Sequence, residues 1–337
     1  MKTSDFDYDL PPERIAQEAV EPRDAARVLI ASSLDDIAFR DVASLFEAGD
    51  CLVVNTTRVR HARLRGTRED TGGKVEVLLT RRFDATRWEA MLRPSRRLGM
   101  SARIRVGDRI ATLLTDPVDG VATIAIEPPD GVEDLLDAVG VVPLPPYFHG
   151  DLPDPERYQT IFAKEVGSAA APTAALHFTE GVVASLLGKG VVFAEVELRI
   201  GLDTFRPMVV DVVADHTMHT EEIVVRDDAV RTVNGARSAG GRIIAVGTTV
   251  ARTLESVADE SGRIDPYTGS TSLFITPGYD MRVVDGLLTN FHAPRTTLLV
   301  MIAALMGDRW RMAYDHAIEH GFRFLSFGDA MYIEVDR

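Results

Sequence analysis

The sequence predicts an α/β fold interrupted by a small inserted antiparallel β-barrel or sandwich, and three observations carry that reading. Continuous apolar runs such as CLVVN at 51–55 suit strands covered on both faces. Capped helical stretches such as TTLLVMIAALMG at 296–307 recur between such runs. From Arg58 to about Val142 the texture changes to short runs that alternate apolar and polar residues, separated by Gly, Asp and Pro. Residues 1–57 and 146–337 therefore read as one discontinuous α/β domain, with 58–145 inserted as a basic β-rich module at an exposed connection. At about 150 residues per domain, 337 residues also suggest two domains.

In chain order, a helix is expected over Asp41–Glu47 and a strand at 51–55. The inserted β runs are ARLRG, KVEVLLT, RWEAML, ARIRVGDRIATLL and VATIAIE, closed by the helix GVEDLLDAVG. VVPLPPYFHGDLPDPERY, with five prolines between Pro143 and Pro155, reads as a stiff connection. A helix near 180–188 ends at Gly188 or Gly190, and the strand VVFAEVELRI follows at 191–200. A helix over Asp228–Ser238 leads to the strand RIIAV at 242–246. After the Thr296-capped helix, another runs from Arg309 to His320. FRFLSF reads as a strand before the closing segment AMYIEV.

Composition excludes several classes. With 45% apolar residues the chain can bury a sizeable core and is not a disordered protein. No apolar run reaches the roughly 18 residues of a membrane span, and MKTSDFDYDLPPERIA lacks a secretory h-region, so a cytoplasmic protein is expected. Cys51 is the only cysteine, which leaves no internal disulfide framework or cysteine-rich zinc site. The net charge of −14 argues against a nucleic-acid partner, but its distribution argues for one. Arg58–Arg109 holds 15 basic against 6 acidic residues, a local +9 that leaves −23 for the remainder. These arginines either face a polyanion or alternate on the wet face of the barrel.

Several segments could carry chemistry. In RIIAVGTTVARTLES a strand enters Gly247 and a helix begins at Thr248 and Thr249, where free amides could hold an anionic group; a routine threonine cap is the competing reading. EVGSAAAPTAALHFTEG places small residues around Thr173 and His177, with His177 a candidate base or donor against a satisfied core histidine. In ADHTMHTEE, His216 and His219 could share a helix face with Glu221 nearby. The HExxH pattern is absent, hydrogen bonding is favoured over zinc, and no metal is expected. GLLTNFHAPRTTL ends a strand with Asn290 and His292, a common ligand position in open α/β sheets. RIGLDTFRP and SFGDAM, which contains Asp329, are loop motifs of similar style. Walker, dinucleotide and GxSxG signatures are all missing.

Taken together, these segments resemble the S-adenosylmethionine:tRNA ribosyltransferase-isomerase family of queuosine biosynthesis. The resemblance runs from FDYDLPPERIA at 6–16 to GDAMYI at 328–333. It takes in VNTTRVRHARLRG, PLPPYFHG, RYQTIFAKEVGSAAAPTAALHFT, DHTMHTE, AVGTTVARTLES and FITPGYDMRVVDGLLTNFHAP. It implies an α/β domain interrupted by a small barrel. It also implies transfer and isomerisation of the ribosyl part of S-adenosylmethionine onto 7-aminomethyl-7-deazaguanine in tRNA, giving epoxyqueuosine-tRNA with release of adenine and methionine. S-Adenosylmethionine is then a substrate, no cofactor is required, tRNA is the partner, and a monomer is expected.

Within that resemblance His177 and His292 are candidates for proton transfer, with His216, His219 and Glu221 around the ribose or leaving group. Thr173, Thr248, Thr249, Asn290 and Asp329 would hold substrates, and Arg58, Arg96 and Arg97 would meet tRNA phosphates. The chain departs from the family pattern at Thr56, Arg60, His61, Ala175, Asp203 and Ala293. Asp203 adds a charge beside the implied site, and Ala175 restricts backbone freedom where glycine is usual. Two other readings stay open: a diverged relative using S-adenosylmethionine on another acceptor such as a free nucleoside, and a non-catalytic RNA-binding protein.

Overall fold

The computed structural model describes residues 1–149, 152–201 and 206–335. The chain divides into two compact units, Met1–Arg58 with Pro145–Arg337, and Val59–Leu144.

The larger unit is built on a nine-stranded mixed sheet. Its middle is four mutually parallel strands: β12 (Val192–Leu198), β3 (Cys51–Asn55), β14 (Ile243–Val246) and β16 (Gly286–Asn290). On one side of β16 follow β17 (Ala330–Glu334), β1 (Arg27–Ile30) and β2 (Asp36–Ala38). Beyond β12 lie β13 (Glu221–Val225) and β15 (Tyr267–Thr271). β4 (Thr57–Val59) and β11 (Glu165–Ser168) form a separate two-stranded sheet.

The period-two rule of a strand sorts the central residues onto two faces. Cys51, Val53, Ile243, Ala245 and Leu287 point into a core shared with α3 (Asp227–Ser238), α4 (Thr248–Ser256), α5 (Thr297–Met306) and α6 (Arg309–Glu319). Leu52, Val54, Ile244, Val246 and Leu288 point into a second core with Val182 and Leu186 of α2 (Glu180–Gly188), Phe39 and Phe46. Both faces of β3 are thus covered, as its unbroken apolar run requires. The Cys51 thiol, fully buried in this strand, is pushed up to about 12, chiefly by burial.

The smaller unit is a closed six-stranded antiparallel barrel. Its strands are β5 (Arg63–Arg68), β6 (Lys74–Arg82), β7 (Arg87–Arg93), β8 (Arg103–Val106), β9 (Arg109–Leu113) and β10 (Val121–Glu127), ordered β10-β7-β6-β5-β8-β9. Alternation is explicit in β7 and β10: Trp88, Ala90 and Leu92, like Ala122, Ile124 and Ile126, face inward, and the intervening residues face out. ARIRVGDRIATLL makes two strands joined at Gly107–Asp108, where Gly107 takes a left-handed φ of 55°. The helix α1 (Val132–Val139) buries Val132, Leu135 and Leu136.

Three sequence expectations are corrected. The segment at 39–45 is a 3-10 helix, Phe39–Leu45, rather than an α-helix over Asp41–Glu47. FRFLSF is not a strand: Phe324 makes one isolated bridge to Ile15, and Leu325 turns the chain with a φ of 70°. Its alternation reflects Phe322 and Phe324 packing into the core from an irregular loop. His216 and His219 share no helix face, because a three-residue 3-10 turn ends at Asp215 and extended chain leads into β13.

Candidate active site

A cavity opens at the carboxyl ends of β14 and β16, where open α/β sheets bind ligands. The local sequence explains its walls. β14 runs into Gly247, whose φ of 96° is strained for any residue with a Cβ, and α4 starts at once with Thr248 and Thr249 facing the cavity. β16 delivers Thr289 and Asn290, then breaks into the loop holding His292. Thr296 closes that loop by donating to the Ala293 carbonyl and capping α5 through the Leu299 amide. Tyr147 and Ser326 join hydroxyls at 2.5 Å across another part of the wall.

Asn290 is the hub. Its Oδ1 accepts from the Thr173 hydroxyl at 2.9 Å, and its Nδ2 lies 3.3 Å from His177 Nε2. An amide nitrogen can only donate, so His177 Nε2 is the acceptor and the ring proton sits on Nδ1. His292 Nε2 lies 3.0 Å from the Thr289 hydroxyl. The backbone of His292 is clamped by Tyr314, whose hydroxyl accepts from its amide, and by Tyr8, whose hydroxyl donates to its carbonyl.

Both histidines are buried and their pKa values are pushed down to about 3. For His292 burial alone is the cause. For His177 burial comes first, and Arg323, Arg157 and Arg23 add repulsion. Each ring is therefore neutral near pH 7. The Thr249 hydroxyl is buried without a hydrogen-bond partner among the described residues.

Two smaller cavities flank this one. One is lined by His177, Arg23, Arg157 and Phe327, and shares Ser326 with the main cavity. The other is lined by His219, Arg252, Phe274 and Met301, and shares Leu298 with the main cavity. Among the described residues no group of three or more His, Cys, Asp or Glu could hold a metal ion.

The chain has clear relatives. A family model described as "Queuosine biosynthesis protein" matches residues 3–333. The chain belongs to the queuosine biosynthesis protein family. Two relatives named S-adenosylmethionine:tRNA ribosyltransferase-isomerase, from Desulfitobacterium hafniense and Symbiobacterium thermophilum, are 48% and 47% identical. Each alignment covers 99% of this chain and all of the relative. The crystal structure of an S-adenosylmethionine tRNA ribosyltransferase from Thermotoga maritima is similar at a TM-score of 0.56 and 34% identity, over 98% of this chain and all of that one.

In this queuosine-family chain Thr173, Thr248, Thr249, Asn290 and His292 share the main cavity, whereas other expected site residues lie elsewhere. His177 faces the Arg23 and Arg157 side and reaches the main wall through Asn290. His219 lines the cavity beyond Leu298, with its Nε2 3.4 Å from Glu221. Glu221 is buried against Arg252 and receives the Gly201 amide. Burial opposes its ionisation, but His219 and Arg252 prevail and lower its pKa. His216 packs edge-on against Phe274, outside the main cavity.

The expectation that Asp329 binds substrate meets a competing structural fact. Its two carboxylate oxygens accept the backbone amides of Arg27 and Arg323, so the side chain fastens a loop to a strand. Arg58 pairs with Glu156 at 2.5 Å. Arg96 and Arg97 are exposed and form no ion pair among the described residues. Ala175 sits in the 3-10 helix Thr173–His177, outside the positive-φ residues, with its methyl in the core. Thr56 is buried and donates to the Val196 carbonyl, and Asp203 lies outside the described residues.

Sequence reasoning missed Arg252, Thr289 and Tyr147. Tyr147 was hidden in a proline-rich stretch that reads as a spacer. Arg252 carried a usable signal: it falls four residues after Thr248, on the same helix face, within a segment otherwise buried.

Proposed function

We propose that this chain transfers and isomerises the ribosyl part of S-adenosylmethionine onto 7-aminomethyl-7-deazaguanine in tRNA, with the cavity at the ends of β14 and β16 as the donor site. The observation that carries the reading is full-length relationship at 48% identity to a protein of that name, joined to a cavity lined by hydroxyls, an amide and a neutral imidazole. The product is epoxyqueuosine-tRNA, and adenine and methionine leave. S-Adenosylmethionine serves as a substrate, and a tRNA substrate supports a cytoplasmic location.

The chemistry follows from the groups at hand. A sulfonium acidifies the protons of the adjacent ribose carbon, and His292, which lines the cavity and is neutral near pH 7, carries one unprotonated ring nitrogen. Thr248 and Thr289 offer hydroxyls, and the first amides of α4 offer donors, to the departing adenine and the sugar. Asn290, held by Thr173 and His177, keeps its place through the reaction. On the barrel, Arg96 and Arg97 contribute tRNA phosphate contacts, with Arg58 a third candidate on the α/β unit.

Incubation with S-adenosylmethionine and tRNA carrying 7-aminomethyl-7-deazaguanine, with adenine release as the readout, tests the reading. Release that depends on that tRNA is expected. Release with a free nucleoside instead, or tRNA retention without adenine, would overturn it in favour of a diverged enzyme or a binding protein.

A further inference from the structure

Arg252 is almost fully buried, at 3% exposure, and only part of its guanidinium is used. Its Nε donates to the Leu273 carbonyl at 3.0 Å and its Nη1 donates to Glu221, while Nη2 has no hydrogen-bond partner among the described residues. A buried cationic donor left unsatisfied is costly, and native structures rarely keep one without a reason. Nη2 belongs to a side chain lining the cavity beyond Leu298, whose other walls include Phe274 and Met301. The cavity's wall thus sets the Arg252 cation among mostly apolar side chains, with His219 and Thr297 the other polar ones.

The position of this cavity is equally specific. Thr249 and Arg252 are three residues apart on α4, so their side chains are neighbours on one helix face and lie about 4.5 Å apart along the axis. Thr249, whose hydroxyl is also orphaned, faces the main cavity. Leu298 of α5 lines both spaces. Leu298 is therefore the side chain that separates a ligand at the start of α4 from the cavity of Arg252, and a short aliphatic arm would have to pass beside it.

We propose that Arg252 receives the carboxylate of the donor's aminobutyryl arm, with Leu298 and Met301 flanking the methylenes. The inference rests on the reading of the main cavity as the sulfonium donor site and adds the group that selects the amino-acid end of the donor. A guanidinium fork suits a carboxylate, and Glu221 and Leu273 leave one arm of that fork open. Glu221 then acts as a positioning residue that holds the guanidinium in place.

The test compares S-adenosylmethionine with decarboxylated S-adenosylmethionine, which keeps the sulfonium, ribose, adenine and amine. Titration calorimetry on the full chain should give the carboxylated ligand an advantage of about tenfold or more. Arg252→Met combined with Glu221→Gln removes the buried pair together. It should bind both ligands equally, at the weaker affinity, with an unchanged circular dichroism spectrum. Glu221→Gln alone should keep the preference. Equal binding of the two ligands by the unaltered protein overturns the role of Arg252 while leaving the donor site intact, as does a preference that survives in the double variant. Failure of the unaltered protein to bind either ligand overturns the donor-site reading, and this inference with it. The ligand comparison on the unaltered protein decides the matter even if the double variant does not fold.

Discussion

Near the cavities of the α/β unit, charge is either suppressed or paired, whereas the barrel displays it. His177 and His292 are held neutral by burial, and Glu221 lies against Arg252. On the barrel, Arg103 and Arg105 share Glu69 on the surface, and Arg87 pairs with Asp84, all exposed to solvent or nearly so. Arg93, Arg96 and Arg97 are exposed and form no ion pair among the described residues. The two regions follow one rule. In a low-dielectric interior an unpaired charge is costly and groups neutralise or pair, while in water exposed pairs contribute under about 1 kcal/mol and leave arginines available to a polyanion. Interior groups should therefore govern chemistry and pH response, and surface groups should govern salt response.

The sharpest way to break that division is at His292. His292→Ala, folded by circular dichroism, should lower the rate of adenine release by about 10²–10⁴-fold, the usual range for a lost proton-transfer group. His177→Ala should cost less, because it reaches the cavity wall through Asn290. An unchanged rate in His292→Ala would remove that ring from the chemistry.

The next effect is on stability against pH. Each ring titrates near 6.5 when unfolded and near 3 when folded, so the unfolded chain binds more protons between those values. The stabilisation is complete above pH 6.5 and is lost as pH falls toward 3. At pH 5 the loss is about 2 kcal/mol for each ring. Urea unfolding at pH 7.5 and 5.0 should show it, and a non-titrating replacement such as His177→Phe should shrink the difference by about that amount. Turnover should likewise show no inflection near pH 6.5 arising from these two rings.

The smallest effect belongs to the surface. Arg96→Glu with Arg97→Glu should raise the tRNA Michaelis constant by about tenfold or more and flatten its logarithmic salt dependence by about two, with S-adenosylmethionine affinity unchanged. An unaltered tRNA response would return these arginines to an ordinary solvated face.

The barrel and the parallel strands were legible because their periods are physical: Trp88, Ala90 and Leu92 must alternate, and Leu52 and Val53 must both be buried. FRFLSF deceived because alternation also arises when a loop tucks two phenylalanines into a core. The cavity was partly legible through Asn290 and His292 at the end of β16 and the threonines after Gly247. Asp329, in a loop motif, and Glu221, beside two histidines, both read in sequence as acidic residues free to meet substrate. Only tertiary structure reveals that backbone amides occupy one and a buried guanidinium the other. Arg252 escaped notice because a sequence does not show which guanidinium nitrogen lacks a partner.

One feature of the central strand has a practical side. Cys51 lies within β3, between two cores, with its thiol held protonated far above neutral pH. A thiolate is the reactive form, so maleimides and oxidants find no target while β3 stays paired with its neighbours. Reaction at Cys51 requires the middle of the sheet to open, and the labelling rate then counts those openings. The chain carries its own built-in clock for the breathing of the sheet at whose end the cavity lies.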